Sequence, residues 1–172
     1  MKEECGFKRT LKTISTLSTV GMYLSGIGIF IMSLLITIEI AGRYLFGFSL
    51  LVVDEWSGYL LVIVAFLGLA YTMKTKGFLQ IEFLTHKLSR KRKCFYNFLL
   101  LLVAAAYTLL IGYRLLMHTW SSYDSGEVSI SISQTPLYIP QLFMPVGMLL
   151  LLLELIREAV GSLDEWLALK GD

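Results

Sequence analysis

A chain of 172 residues that is 56% hydrophobic and only 16% charged has too few polar side chains to coat a water-soluble globule, which at this size carries about a quarter charged residues. A mean hydropathy of +0.69 agrees that lipid is the fitting solvent. The net charge of +2 excludes little, because where the charges sit decides more than their sum.

Spanning roughly 30 Å of hydrocarbon takes about 20 apolar residues, and four stretches qualify. The first covers about 18–45, with no charge over 20–38. Lys8, Arg9 and Lys12 precede it as they would a signal sequence. The apolar run is too long for a signal h-region, however, and no small-residue cleavage site follows, so a retained helix is expected. The second stretch covers about 51–73, the third about 95–117 with Arg114 as its one charge, and the fourth about 138–160. Lipid satisfies no backbone hydrogen bonds, and continuous apolar runs rather than alternation select helices. The expected fold is an all-α membrane protein, a single four-helix domain over residues 1–172.

The connections differ. The link at 46–50 is short enough to make the first two helices a tight antiparallel hairpin. The link at 74–94 is long and basic, carrying Lys74, Lys76, Lys87, Arg90, Lys91, Arg92 and Lys93. Within it Phe78, Ile81, Leu84 and Leu88 share a helical stripe, with Leu79 and Phe83 off it. Two readings stay open: an interfacial amphipathic helix over about 77–90, its Lys87, Arg90, Lys91, Arg92 and Lys93 on lipid headgroups, or a basic loop that only sets topology. The link at 118–137 has no Lys or Arg but has Asp124, Glu127 and many serines. Its Val128, Ile130 and Ile132 alternate, which suggests a short extended segment. Pro136, Pro140 and Pro145 follow. Pro140 fits the first turn of the fourth helix, and Pro145 is expected to kink it.

Lys2, Lys8, Arg9 and Lys12 before the first helix, with the seven cations of the second link, place both termini in the cytoplasm by the positive-inside rule. Tyr44, Phe46, Phe48, Trp56, Tyr59, Trp120, Tyr123 and Tyr138 then gather at the outer boundary. Cys5 and Cys94 flank the inner basic segments, where thiols stay reduced, so no disulfide is expected.

The charges at membrane depth are the candidate functional residues. Glu39 and Arg43 stand at i and i+4 in the order that favours an ion pair. Asp54 and Glu55 open the second helix, where the helix dipole favours acids. The short link brings these pairs together, and Arg114, near the outer end of the third helix, is within reach of Asp54, Glu55 or Glu39. Glu154, Arg157 and Glu158 form a second mixed cluster near the inner face. Intramembrane ionisable groups are costly and point to function by default. Because each cluster holds both signs near an interface, ion pairs that fix helix packing or subunit docking outweigh both an ion or substrate path and simple exposed interfacial charges. Gly21, Gly26, Gly28 and Gly68 are expected to permit close helix approach.

No enzyme is expected. His86 and His118 are predicted on opposite sides, and no zinc-protease, nucleophile-elbow or phosphate-loop motif occurs. No catalytic, cofactor or metal site is assigned, and no nucleic-acid partner.

Four segments together resemble the small membrane subunit, DctQ-like, of tripartite ATP-independent periplasmic (TRAP) transporters. They are Glu39-Ile40-Ala41-Gly42-Arg43-Tyr44-Leu45-Phe46 followed by Asp54-Glu55; Phe66-Leu67-Gly68-Leu69-Ala70; Gly77-Phe78-Leu79-Gln80-Ile81-Glu82-Phe83-Leu84; and Thr135-Pro136-Leu137-Tyr138-Ile139-Pro140 continuing to Pro145-Val146-Gly147. Phe78 or Leu79 stands where such subunits usually have His. The resemblance, over about 20–160, implies a bacterial inner-membrane location and three kinds of partner: a large membrane subunit with the substrate and sodium sites, a periplasmic substrate-binding protein, and membrane lipids. It implies sodium-coupled symport of a carboxylate, with this chain enlarging the fixed scaffold; the link at 118–137 reads either as an ordinary polar loop or as a dock for the binding protein, the loop outweighing the dock. Competing readings are an independent small channel or regulatory membrane protein, or a small membrane oxidoreductase, which would need periplasmic cysteine pairs the chain lacks.

Overall fold

The fold is given by a computed structural model that describes residues 2–47, 52–75, 90–131 and 133–168, with the backbone alone at 2–11, 90–92 and 168. The described residues are helical apart from short connections and one isolated β-bridge. Helix α1 runs Lys2–Phe46, α2 Val52–Lys74, α3 Arg90–Asp124, α4 Tyr138–Gln141 and α5 Phe143–Ala168. Four stretches are long and apolar enough to cross a membrane: Lys12–Phe46, Val52–Lys74, Lys93–Asp124 and Tyr138–Leu167. The all-α, four-span architecture expected from the sequence is therefore present.

The helices outrun the apolar stretches that announce them. α1 is 45 residues long, about 68 Å at 1.5 Å per residue, and so continues through Lys12 and the basic segment before it. α3 has 35 residues and passes 117 to reach Asp124. Apolarity marks where a helix crosses lipid. The helix itself ends only where its backbone stops being satisfied, and no proline interrupts residues 2–46 or 90–124. The interfacial helix expected over about 77–90 lies outside the described residues except Arg90, which opens α3.

The four long helices form a row. α1 packs on α2, α2 on α5, and α5 on α3, with a smaller contact between α1 and α5. α5 is thus interior, and α1 and α3 are the two edges. Met73, Leu101, Met148, Leu151 and Leu155 make the larger buried apolar cluster, and Leu67, Ala70 and Leu150 the smaller.

Small residues set the spacing. A Cβ on Gly21 would come within 2.9 Å of the Leu67 carbonyl oxygen, and one on Gly28 within 2.7 Å of Val64. Gly68 faces Ser25 at 3.6 Å. Gly26, expected to help, has nothing within 4 Å and contributes no approach. The tightest point joins α5 to α2, where a Cβ on Gly147 would lie 2.4 Å from the Phe66 carbonyl oxygen and 2.6 Å from its carbon. Backbone cannot yield as a flexible side-chain tip can.

Pro145 interrupts the fourth span as expected, through the turn that precedes it. It sits in the first turn of α5, and the break falls earlier, at Leu142 between α4 and α5. The reason is hydrogen bonding. Pro145 has no N–H for the Gln141 carbonyl, while Val146 N still bonds Leu142 O at 3.4 Å. The Thr119 hydroxyl of α3, which bonds Leu115 O at 2.9 Å, also lies 3.4 Å from the freed Gln141 carbonyl.

Gly147→Ala should destabilise the protein in detergent by about 1–3 kcal/mol, the usual cost of overpacking. Gly26→Ala should be neutral or slightly stabilising, since Ala is the better helix former. Thermal unfolding of the two variants side by side checks the contrast.

Candidate functional site

Two polar clusters, one at each end of the row, hold the candidate residues. The first centres on Glu154, a carboxylate with no solvent exposure in the interior helix α5. Arg157, one turn on, donates from Nε to Glu154 Oε2 at 2.6 Å, and its Nη2 lies 4.0 Å from Glu158. Ser18 of α1, also fully buried, reaches Glu154 Oε1 at 2.5 Å. The same hydroxyl is 3.1 Å from the Ile14 carbonyl, so its single hydrogen serves one of the two. A buried carboxylate needs such partners, because an unpaired charge in a low-dielectric interior is strongly disfavoured.

Neighbouring contacts tie the other helices at this end. Lys74, closing α2, donates to the Ser15 carbonyl at 2.8 Å and the Thr19 hydroxyl at 2.7 Å on α1. Asn97 of α3 donates to Ser162 of α5 at 2.9 Å, and Phe95 packs on Trp166 with ring centroids 5.7 Å apart. Cys94, next to Phe95 in the chain, is buried beside this contact.

The second cluster centres on Glu55 in the first turn of α2. Its carboxylate accepts hydrogen bonds from the Tyr59 hydroxyl and from Ser131 and Ser133 of the connection between α3 and α4. The hydroxyls form a ladder, Ser129 to Ser131 at 2.9 Å, Ser131 to Ser133 at 3.4 Å, and Ser133 to Thr135 at 3.0 Å. The backbone explains the alignment. Ser129 N bonds Thr135 O at 2.9 Å, Leu137 N bonds Glu127 O at 3.0 Å, and Val128 bridges Pro136. The chain turns back through Gln134 at φ 46°, after Gly126 at φ 62° has ended the α3 turn. The alternation expected from Val128, Ile130 and Ile132, the last of which lies outside the described residues, is therefore a short extended excursion. Its apolar side is exposed, Ile130 fully, while its serine side faces Glu55. Ser122 donates to Glu127 at 3.1 Å, and Tyr123 meets Tyr138 edge-on at 5.2 Å, closing the base of the loop.

The remaining candidates fall apart spatially. Arg43 donates to Glu39 at 2.7 Å within α1, with Glu39 buried and Arg43 60% exposed. Asp54 is exposed. Arg114 is exposed on α3 and makes no ion pair with Asp54, Glu55, Glu39 or any other described residue. Of the headgroup candidates, Lys87 lies outside the described residues, Arg90, Lys91 and Arg92 belong to the first turn of α3, and Lys93 is exposed there. The residues missed from the sequence are the uncharged partners: Ser18, Asn97, Thr119 and the serine ladder. Only the ladder left a readable signal, hydroxyls at every second position from Ser129 to Thr135.

Among the described residues no group of three or more His, Cys, Asp and Glu is placed to hold a metal ion. The carboxylates are tied to hydroxyls and an arginine from their own or neighbouring helices, an arrangement that joins helices. The chain is thus a multi-pass helical membrane protein in which Glu154 and Glu55 are built into the packing. The family model for the DctQ component of tripartite ATP-independent periplasmic transporters matches residues 32–165. The chain belongs to that family, as a small component of a TRAP transporter. Among curated proteins, none matches it.

Removing one member of the Glu154 pair should cost more than removing both. Arg157→Leu leaves a buried carboxylate without its cation and should destabilise by on the order of 3 kcal/mol, while Glu154→Leu with Arg157→Leu should recover much of the loss. A double-substitution cycle by thermal unfolding in detergent measures the difference; additive losses would show that the pair does not couple.

Proposed function

We propose that this subunit is a stationary scaffold for the large membrane subunit, which imports a carboxylate with sodium after its delivery by a periplasmic binding protein. The observation that best supports this reading is the chemistry of a groove in the row that opens to the side. It runs between α1 and α5 over α2 and is lined by Thr16, Leu17, Leu24, Phe143, Val146 and Leu150. Such a wall suits an acyl chain or another apolar surface and offers a carboxylate no counter-charge, so substrate selection belongs to the partners. A moving transport domain needs a rigid reference in the bilayer. Polar stitching at both ends and backbone-close packing at Gly147 give this row that rigidity. Deleting the chain while keeping the large subunit should reduce sodium-driven uptake to background; uptake that continues undiminished would refute the scaffold role.

In the same reading the protein resides in the inner membrane, with both termini in the cytoplasm and the Glu55 end outside. The basic residues of 74–94, Lys87, Arg90, Lys91, Arg92 and Lys93 among them, then meet anionic headgroups of the inner leaflet. Ser125 lies in the turn after α3 and is exposed. Ser125→Cys in intact spheroplasts should react with a membrane-impermeant maleimide, and labelling only after lysis would reverse the orientation.

A further inference from the structure

Edge helix α3 carries an outward stripe with a regular spacing. Positions 100, 103, 107, 110, 114 and 117 follow steps of three and four, the spacing that keeps one line of a helix against a neighbouring helix. Leu100, Val103, Tyr107, Leu110 and Met117 are 45–66% exposed, whereas Leu101, Thr108 and Thr119 on the other side of the helix are buried. The sixth member of the stripe is Arg114, exposed and without an ion pair to any described residue.

Packing places this cation deeper along the row than the outer end of the third helix, where it is expected from the sequence. Gly112 meets Met148 of α5, and the adjacent Gly147 meets the backbone of Phe66. Phe66 lies near the middle of the uncharged stretch 56–73 of α2. Arg114 is about 3 Å further along α3 than Gly112, and about 15 Å short of the helix end at Asp124. An arginine facing hydrocarbon at that level is costly and ordinarily faces protein or water. A lipid phosphate belongs at the headgroup level, so the depth favours a protein partner. The other edge shows no such demand: Phe30 and Leu34 of α1 are exposed and apolar, and Arg43 is already met by Glu39.

We propose that this α3 stripe is the seam on which a spanning helix of the large membrane subunit packs, with a carboxylate of that helix opposite Arg114. The inference rests on the scaffold reading and adds the docking face and its chemistry. A planar guanidinium takes a carboxylate through two parallel hydrogen bonds. A single charged position in an otherwise apolar seam also fixes the register of the two helices.

The test uses the co-expressed transporter, purified through a tag on this chain. Arg114→Glu should lower recovery of the large subunit about tenfold or more, and Arg114→Lys should lower it less. A photoreactive phenylalanine analogue in place of Leu110 or Met117 should crosslink to the large subunit, and one in place of Phe30 or Leu34 should not. The crosslinks keep Arg114 intact and decide the matter even if Arg114→Glu fails to insert. Normal recovery of Arg114→Glu, crosslinks only from the α1 positions, crosslinks joining two copies of this chain through α3, or α3 probes that label lipid alone would each overturn the seam while leaving the scaffold reading intact. Failure of the unaltered chain to co-purify or crosslink with the large subunit from either edge would instead defeat the scaffold reading.

Discussion

Apolar side chains in hydrocarbon gain little by choosing a neighbouring helix over a lipid tail, so helix association in a membrane depends on close packing and on polar groups that must find partners. Glu154 is where that constraint is sharpest here. A carboxylate without solvent exposure is held only by groups aimed at it, and those come from two helices, Ser18 on α1 and Arg157 on α5. The contact fixes where α1 crosses α5. With α2 held to α1 through Lys74 and to α5 through Gly147, little freedom is left in the order of the row.

The opposite end solves a related problem with neutral groups. Asp54 and Glu55 stand in the first turn of α2, where the helix dipole favours negative charge. Glu55 is then covered by hydroxyls from a loop far along the chain. The prolines that follow serve the same end by a different route. Pro145 withdraws an amide hydrogen, the helix breaks at Leu142, and a threonine on the neighbouring helix approaches the carbonyl left over. Each departure from regular structure at this end is accompanied by a partner on another helix, the condition for tolerating irregular backbone at membrane depth.

The two edges of the row differ chemically although both are apolar. The cation on α1 is answered within its own helix by Glu39, whereas the cation on α3 is not answered by any described residue. A membrane surface carrying an unanswered charge is incomplete in a way a purely apolar surface is not. That asymmetry gives a symmetric-looking row a direction.

Hydropathy alone established the solvent, the number of spans and their order, because an apolar run of about 20 residues has only one way to satisfy its backbone in lipid. The i,i+4 spacing of Glu39 and Arg43 and the i,i+3 spacing of Glu154 and Arg157 were also legible, since a helix brings such residues to one face whatever surrounds it. Helix ends were not, because a helix runs on past its apolar stretch wherever nothing breaks it, as α1 does. Nor were the partners of Glu154 and Glu55: Ser18 lies 136 positions from one, and Ser131 lies 76 from the other. No local period encodes such distances. Which glycine touches a neighbour, Gly147 and not Gly26, and which charge faces outward, Arg114 and not Glu154, were decided only by tertiary structure, because both depend on the rotation and depth at which separate helices meet.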